Sequence, residues 1–221
     1  MPLYDVITFD CYGTLIDWEE GIGSAFENAA AAAGVEIHRA AALDAWARIE
    51  PEVQREGYRS YREVLGETAS RVARHAGWEL EGGGRGFVAE SLARWAPFPD
   101  TNGALEALAA SGCRLGVLSN VDDDLFEATR RRFTVAFDWV VTAEQVRAYK
   151  PAEAHFREAR RRIGSRRWLH AAQSRFHDVA PARALGIPVA WVNRKREPSR
   201  GDPAPDFEVP DLASLAARVA G

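Results

Sequence analysis

Tyr4-Asp5-Val6-Ile7-Thr8-Phe9-Asp10-Cys11-Tyr12-Gly13-Thr14-Leu15 is the stretch on which the fold turns. Its first six residues are short, β-branched and aromatic, the mark of a buried strand. The run ends on an acid, and Gly13 permits a sharp turn just beyond it. A buried strand needs neighbours on both sides, so the rest of the chain has to supply them.

It does so from Pro97 onward. Leu105 and Leu108 lie on a helix that stops at Gly112, and Arg114–Ser119 then reads as a strand. Leu125, Phe126 and Thr129 continue as a helix. Asp138–Thr142 is a strand, Ala154–Ile163 a helix ending at Gly164, and Trp168–Ala172 a strand. Val179–Leu185 is a helix, Val189–Val192 a strand, and a helix around Leu212, Leu215 and Val219 closes the chain. Strand and helix alternate, which predicts a parallel sheet flanked by helices.

The stretch from 18 to 95 has no such alternation. Ile22, Ala25, Phe26, Ala29, Ala30 and Ala33 fall at helical spacing up to Gly34, and Ala40–Glu56, Tyr61–His75 and Gly86–Trp95 are helical too. Gly82-Gly83-Gly84 reads as a turn, without the strand–helix context of a dinucleotide site. The expected fold is therefore an α/β, Rossmann-like core made of residues 1–15 and 97–221, with an α-helical cap, residues 16–96, inserted between its pieces. Trp46, Trp78 and Trp95 are expected in the cap's own core or at its edge, and Arg194–Pro205 in an exposed loop.

Composition narrows the function. The 221 residues carry 28 Lys and Arg against 32 Asp and Glu, a formal charge of −4. That excludes a broadly basic nucleic-acid binder. The arginine runs Arg130–Arg132, Arg160–Arg162 and Arg166–Arg167 read as solvated helix faces and loops. No apolar run approaches the roughly 20 residues that span a bilayer. Leu3–Phe9 is too short and too polar for a secretory leader. Cys11 and Cys113 form no CxxC pair, so free thiols and a cytoplasmic protein are expected.

In an open parallel sheet, ligands bind beyond the C-terminal ends of the strands. The first strand delivers Asp10, Tyr12 and Thr14 there, and the second Ser119 and Asn120. Soon after the third come Lys150-Pro151, and after the fourth Ser174, His177 and Asp178. A carboxylate can attack an electrophilic carbon or phosphorus to form an ester or acyl phosphate. A nearby lysine keeps it ionised. Thr14, Ser119 and Asn120 can hold an anion or a developing charge. A histidine beside an acid can activate water for a second step.

In this order, Phe9-Asp10-Cys11-Tyr12-Gly13-Thr14-Leu15, Leu118-Ser119-Asn120, Lys150-Pro151 and Ser174–Asp178 resemble the motifs of the haloacid dehalogenase superfamily, cap insertion included. Phosphatases of that superfamily carry a second aspartate two residues after the nucleophile as general acid. Here Tyr12 stands there, and a phenol of pKa about 10 is no such acid. A halide leaves without a proton. The resemblance is thus to the type II branch, the (S)-2-haloacid dehalogenases. It implies hydrolysis of small 2-haloacids through an ester on Asp10, with no cofactor. The alternative it leaves is a phosphatase of small phosphate esters, with Mg²⁺ on Asp10, the Tyr12 carbonyl and Asp178.

The same resemblance places Asp10 as nucleophile and Thr14, Ser119, Lys150, Ser174 and Asp178 in supporting positions, with Tyr12 and Asn120 toward the substrate. The chain departs from the best-known pattern in Gln173-Ser174-Arg175-Phe176-His177-Asp178, where an asparagine is missing and a histidine adjoins the acid. This is similar to a subgroup in which a His–Glu pair activates water, His177 with Glu19 or Glu20, the Asp-Trp-Glu run favouring Glu19. A tyrosine usual six residues after the lysine is replaced by Phe156. A cap arginine would bind the substrate carboxylate, with Arg48 the best match ahead of Arg59 and Arg62. The implied partner is a small molecule, with neither nucleic acid nor membrane. Relatives often form homodimers, but no feature of this sequence compels one.

Overall fold

β1 (Val6–Phe9) sits at the centre of a six-stranded, all-parallel sheet of order β3-β2-β1-β4-β5-β6. The computed structural model describes residues 2–80, 85–198 and 203–220. The predicted glycine turn at 82–84 lies outside them. In chain order β1 is followed by α1 (Trp18–Ala33), α2 (Arg39–Arg55), α3 (Tyr61–His75), α4 (Phe87–Ser91) and α5 (Thr101–Ala110). Then come β2 (Arg114–Ser119), α6 (Asp123–Thr129), β3 (Trp139–Thr142), α7 (Ala143–Val146) and α8 (Ala154–Ile163). The chain ends through β4 (Trp168–Ala172), α9 (Ala180–Ala184), β5 (Val189–Val192), β6 (Phe207–Val209) and α10 (Leu212–Val219). One turn of π-helix, Arg175–Val179, precedes α9.

Two compact units result. The first holds residues 1–17, 97–120 and 131–221, and the second residues 18–96 and 121–130. The segment 121–130, which the sequence assigns to the core, thus groups with the helical unit. The cause is local: both carboxylate oxygens of buried Asp122 accept the leading amides of α3, from Tyr61 at 2.7 Å and Arg62 at 2.9 Å. Those N–H groups have no partner within their own helix, so the acid ties α6 to α3. Ser60 and Glu63 complete the helix start as a reciprocal capping box.

In the sheet unit, β1 is buried along its whole length, and so is β4. α8 and α9 bury Phe156, Ala159, Ile163 and Ala182 in one core with Val6, Leu118, Trp168 and Val189. α5 and α10 pack on each other and reach β2 and β5. β6 escapes the sequence pattern because it is a three-residue edge strand in which only Val209 is buried. A second correction concerns Arg194, placed by the sequence in an exposed loop. Its guanidinium grips the Thr14 carbonyl at 2.9 and 3.1 Å, pairs with Asp100 at 3.0 Å and lies 4.0 Å over the Phe98 ring. The cation therefore braces the turn after β1.

The helical unit packs around aromatics. Phe26 meets Trp46 and Phe87 edge-on at 6.0 and 5.0 Å, and Trp78 stacks on Phe87. Trp46, Trp78 and Trp95 are all buried, as their expected core role requires. α1 comes so close to Trp95 that a Cβ on Gly21 would lie 2.4 Å from the indole, which explains a glycine inside a helix despite its low propensity. Among the described residues, no helix is long and apolar enough to cross a membrane.

Candidate active site

The sheet order sets the location. β1 has β2 on one side and β4 on the other, so successive connections leave it in opposite directions and open a crevice at its C-terminal end. Asp10 is the first residue past that end, and its amide bonds the Ala171 carbonyl of β4 at 3.2 Å. The chain then curls on Gly13 (φ 98°), and the amides of Thr14, Leu15 and Ile16 all point at the Cys11 carbonyl. The curl brings the Thr14 hydroxyl back to donate to Asp10 Oδ2 at 2.9 Å, while it accepts the Gln173 amide at 2.9 Å. One threonine thus links the loops after β1 and β4.

Lys150 is the organising charge. It is 1% exposed, and its three ammonium protons reach Asp10 Oδ1 (2.9 Å), Asp178 Oδ1 (2.6 Å) and the Leu118 carbonyl (2.8 Å). Burial alone would discharge the lysine, but the two carboxylates outweigh it and hold the ammonium above its ordinary range. Burial also works against Asp178, yet the Lys150 charge and a hydrogen bond from His170 keep it ionised well below the usual carboxylate range. Asp10 moves the other way. Burial, with the Asp178 charge added, lifts it against the pull of Lys150 and Thr14. The result is a basic carboxylate beside a strongly acidic one.

The expected groups Asp10, Thr14, Lys150 and Asp178 therefore converge. Ser119, at the end of β2, is fully buried, and its hydroxyl has no hydrogen-bond partner among the described residues. Asn120, expected at the substrate, directs its amide elsewhere. Oδ1 accepts the Lys150 amide at 2.7 Å and Nδ2 donates to the Lys150 carbonyl at 3.1 Å, bracketing the residue before the cis Lys150–Pro151 bond. Its first role here is to hold the lysine loop. Ser174 caps the π-turn, accepting the His177 amide at 3.0 Å and meeting its Nδ1 at 3.1 Å. Burial and then the Lys150 charge push the imidazole below its ordinary pKa, against Asp178 and Asp10. His177 is thus neutral near pH 7 and able to accept a proton. Tyr12 is half-buried in the turn, its backbone bridged to Ile16.

The remaining candidates lie in the helical unit. Glu19 and Glu20 open α1. Glu20 is exposed and holds Arg39 at 2.5 Å and the Ser24 hydroxyl at 2.7 Å. Arg48 is exposed on α2, its Nε on the Asp44 carbonyl. Arg59 pairs with Glu56 and Arg62 with Asp124.

Two buried histidines escaped the sequence reading. His155 Nε2 meets the Ser119 carbonyl at 3.1 Å, and burial followed by the Lys150 charge drives its pKa down to about 3. His170 reaches Asp178 at 3.0 Å from the middle of β4. The available signal was a histidine inside each of two otherwise apolar patterns. Cys11 is buried, and burial together with the Asp10 charge raises its thiol far above the ordinary range, leaving it inert. Cys113 is likewise a free, buried thiol. Among the described residues no cluster of three or more His, Cys, Asp or Glu side chains is placed to hold a metal ion.

Residues 4–195 match the model of the family described as haloacid dehalogenase-like hydrolase. The chain is 27% identical over 216 residues to an (S)-2-haloacid dehalogenase of Pseudomonas sp. (strain YL), covering 95% of this chain and 91% of the relative. It is 28% identical over 228 residues to haloacetate dehalogenase H-2 of Moraxella sp. (strain B), covering all of both chains. Its fold superposes with a TM-score of 0.83 on an L-2-haloacid dehalogenase from Xanthobacter autotrophicus carrying covalently bound chloropropionic acid. That match has 23% identity and covers 97% of this chain and 98% of the other.

Proposed function

The chain belongs to the haloacid dehalogenase-like hydrolase family, and from that membership we propose that it hydrolyses small 2-haloacids through an ester on Asp10. The carrying observation is the pairing of a buried, lysine-held carboxylate at the end of β1 with a tyrosine, not an acid, two residues later. The dehalogenase names of the relatives that match along most of the chain support the same chemistry.

In the first step an Asp10 oxygen attacks C2 of the substrate. The new C–O bond forms as the C–halogen bond breaks, and the electron pair leaves with the halide. A halide needs no proton, so Tyr12 is no obstacle. Lys150 and Thr14 hold the nucleophile ionised and aimed. The Ser119 hydroxyl is the donor available to the substrate or the departing anion. In the second step water attacks the ester carbonyl carbon of Asp10 and gives its proton to His177. As the intermediate collapses, the ester C–O bond breaks, the leaving oxygen takes the proton back from His177 to give the 2-hydroxyacid, and Asp10 loses the remaining proton to solvent and is again a carboxylate. Glu19 is the acid assigned to assist His177, on its place in the Asp17-Trp18-Glu19 run, with Glu20 the other candidate. Arg48 is the assigned carboxylate binder. Among the described residues it has no carboxylate partner, unlike Arg59 and Arg62. Substrate selection is assigned to the helical unit, which carries Arg48. This displacement calls for no metal, because the halide leaves as an anion without a proton and Lys150 pairs with Asp10.

The test is halide release from chloroacetate, fluoroacetate and both 2-chloropropionate enantiomers, run beside a phosphate-ester panel with Mg²⁺. Halide release by the wild type and background rates for Asp10→Ala are expected. Phosphate release with no halide would overturn the proposal.

A further inference from the structure

The charge cluster at Asp10, Lys150 and Asp178 is backed by a buried polar chain that the proposed reaction does not use. Trp168 Nε1 donates to Thr8 Oγ1 at 2.7 Å. Thr8 Oγ1 lies 2.9 Å from His170 Nδ1, and His170 Nε2 lies 3.0 Å from Asp178 Oδ1. Thr8, His170 and Asp178 are 0% exposed. β1 and β4 pair in the register Val6 with Trp168 and Thr8 with His170, so the period of two in both strands puts Thr8, Trp168 and His170 on one face.

One donor of fixed direction orders the protons along this chain. An indole N–H can only donate, so Thr8 Oγ1 is an acceptor toward Trp168. Among the described residues the Thr8 hydroxyl has just these two partners, and its own proton therefore goes to His170 Nδ1. A buried hydroxyl proton with no acceptor would otherwise result. Nδ1 is thus a lone pair, and the ring proton sits on Nε2 facing the carboxylate. A doubly protonated ring would leave the threonine proton unmet, and the opposite tautomer would turn a lone pair on Asp178. Phe156 packs edge-on against the imidazole, centroids 5.1 Å apart at 87°.

We infer that His170 is a positioning residue for the nucleophile's charge network, locked by Trp168 and Thr8 as the neutral Nε2–H tautomer. Its N–H and the Lys150 ammonium both fall on Asp178 Oδ1, while Oδ2 has no hydrogen-bond partner among the described residues. With this second donor, the charge on Asp178 Oδ1 is met without drawing Lys150 wholly to itself. The ammonium stays shared with Asp10 at 2.9 Å. Without it, the lysine would be pulled toward Asp178 and the nucleophile would lose its orientation. His170 acts only through Asp178 and Lys150.

The inference rests on the proposed role of Asp10 in its kinetic arm alone. The spectroscopic arm needs no substrate: long-range ¹H–¹⁵N correlation spectra of the histidine rings in the full-length protein. His170 is expected as the Nε2–H tautomer with Nδ1 unprotonated. An Nδ1–H or doubly protonated ring would overturn the inference even if dehalogenation is established, whereas absent halide release leaves this arm standing. In kinetics, His170→Phe should lower kcat about 10- to 100-fold, the range for a lost hydrogen bond to a charged group, with KM little changed. His170→Gln can donate from its amide and should recover most of the rate. A Phe variant at wild-type kcat, or a Gln variant no better than Phe, counts against it. Should His170→Phe fail to fold, Thr8→Val removes the hydroxyl at constant shape. It should lose the single-tautomer signature and part of kcat, and an unaltered spectrum and rate would reject the relay.

Discussion

At the residue scale, the proposed mechanism gives the second half-reaction to His177, whose environment would then set the pH at which that half-reaction stops. Burial and the Lys150 charge hold its pKa below 6.5, so it stays a neutral base as pH falls through the range where a free histidine becomes protonated. Ester hydrolysis is therefore expected to persist to pH values below the ordinary histidine range and then fail, while ester formation on Asp10 continues as long as that carboxylate is ionised. His177→Ala should reproduce the failure at all pH values. Intact-protein mass spectrometry after mixing with 2-chloropropionate should show one added substrate acyl unit, less halide. Full turnover with no adduct would remove His177 from the mechanism.

At the scale of elements, the start of α3 depends on a residue that is not its own. Asp122 takes two amides that the helix cannot satisfy internally, Ser60 takes the following one from Glu63, and the Glu63 carboxylate takes the Ser60 amide ahead of them. Asp122→Ala leaves two donors without their acceptor and should lower the unfolding free energy by about 2 kcal/mol, as hydrogen bonds to a charged group are worth. Ser60→Ala should cost about 1 kcal/mol, the usual worth of an N-cap. Urea titration of both variants checks the order: Ser60→Ala proving more costly than Asp122→Ala would contradict it. The same locality disposes of the arginine run on α8. Arg161 and Arg162 pair with Glu158, and Arg160 bonds the Leu185 carbonyl, so the run is internally engaged.

Over the whole molecule, one ammonium serves two carboxylates brought from the loops after β1 and β4, with the lysine itself arriving after β3. In the proposed displacement the halide leaves without a proton, so this lysine-held pair of carboxylates needs no added cation. Halide release is accordingly expected to survive dialysis against EDTA unchanged. Loss of activity that Mg²⁺ restores would reverse the assignment.

The strand–acid–turn sequence of residues 4–15, the alternation beyond Pro97 and the helical periodicities between 18 and 95 determined five of the six strands, the inserted helices and the position of Asp10 at a strand end. These are matters of period and local chain geometry, which neighbouring residues carry in themselves. Lys150 and Asp178 were legible too, because each follows a strand and the ends of parallel strands share one edge. His170 was not: inside β4 it reads as one more buried residue, and its meaning comes from Thr8, 162 positions away across the strand pair. Nor did local pattern show that Asp122 belongs with α3, that Arg194 braces the turn at Thr14, or that Asn120 holds the Lys150 loop. Each depends on which unsatisfied donor or acceptor the folded chain brings within about 3 Å. Periodicity tells which face a residue occupies, but only the tertiary structure supplies the partner that a buried polar group must have.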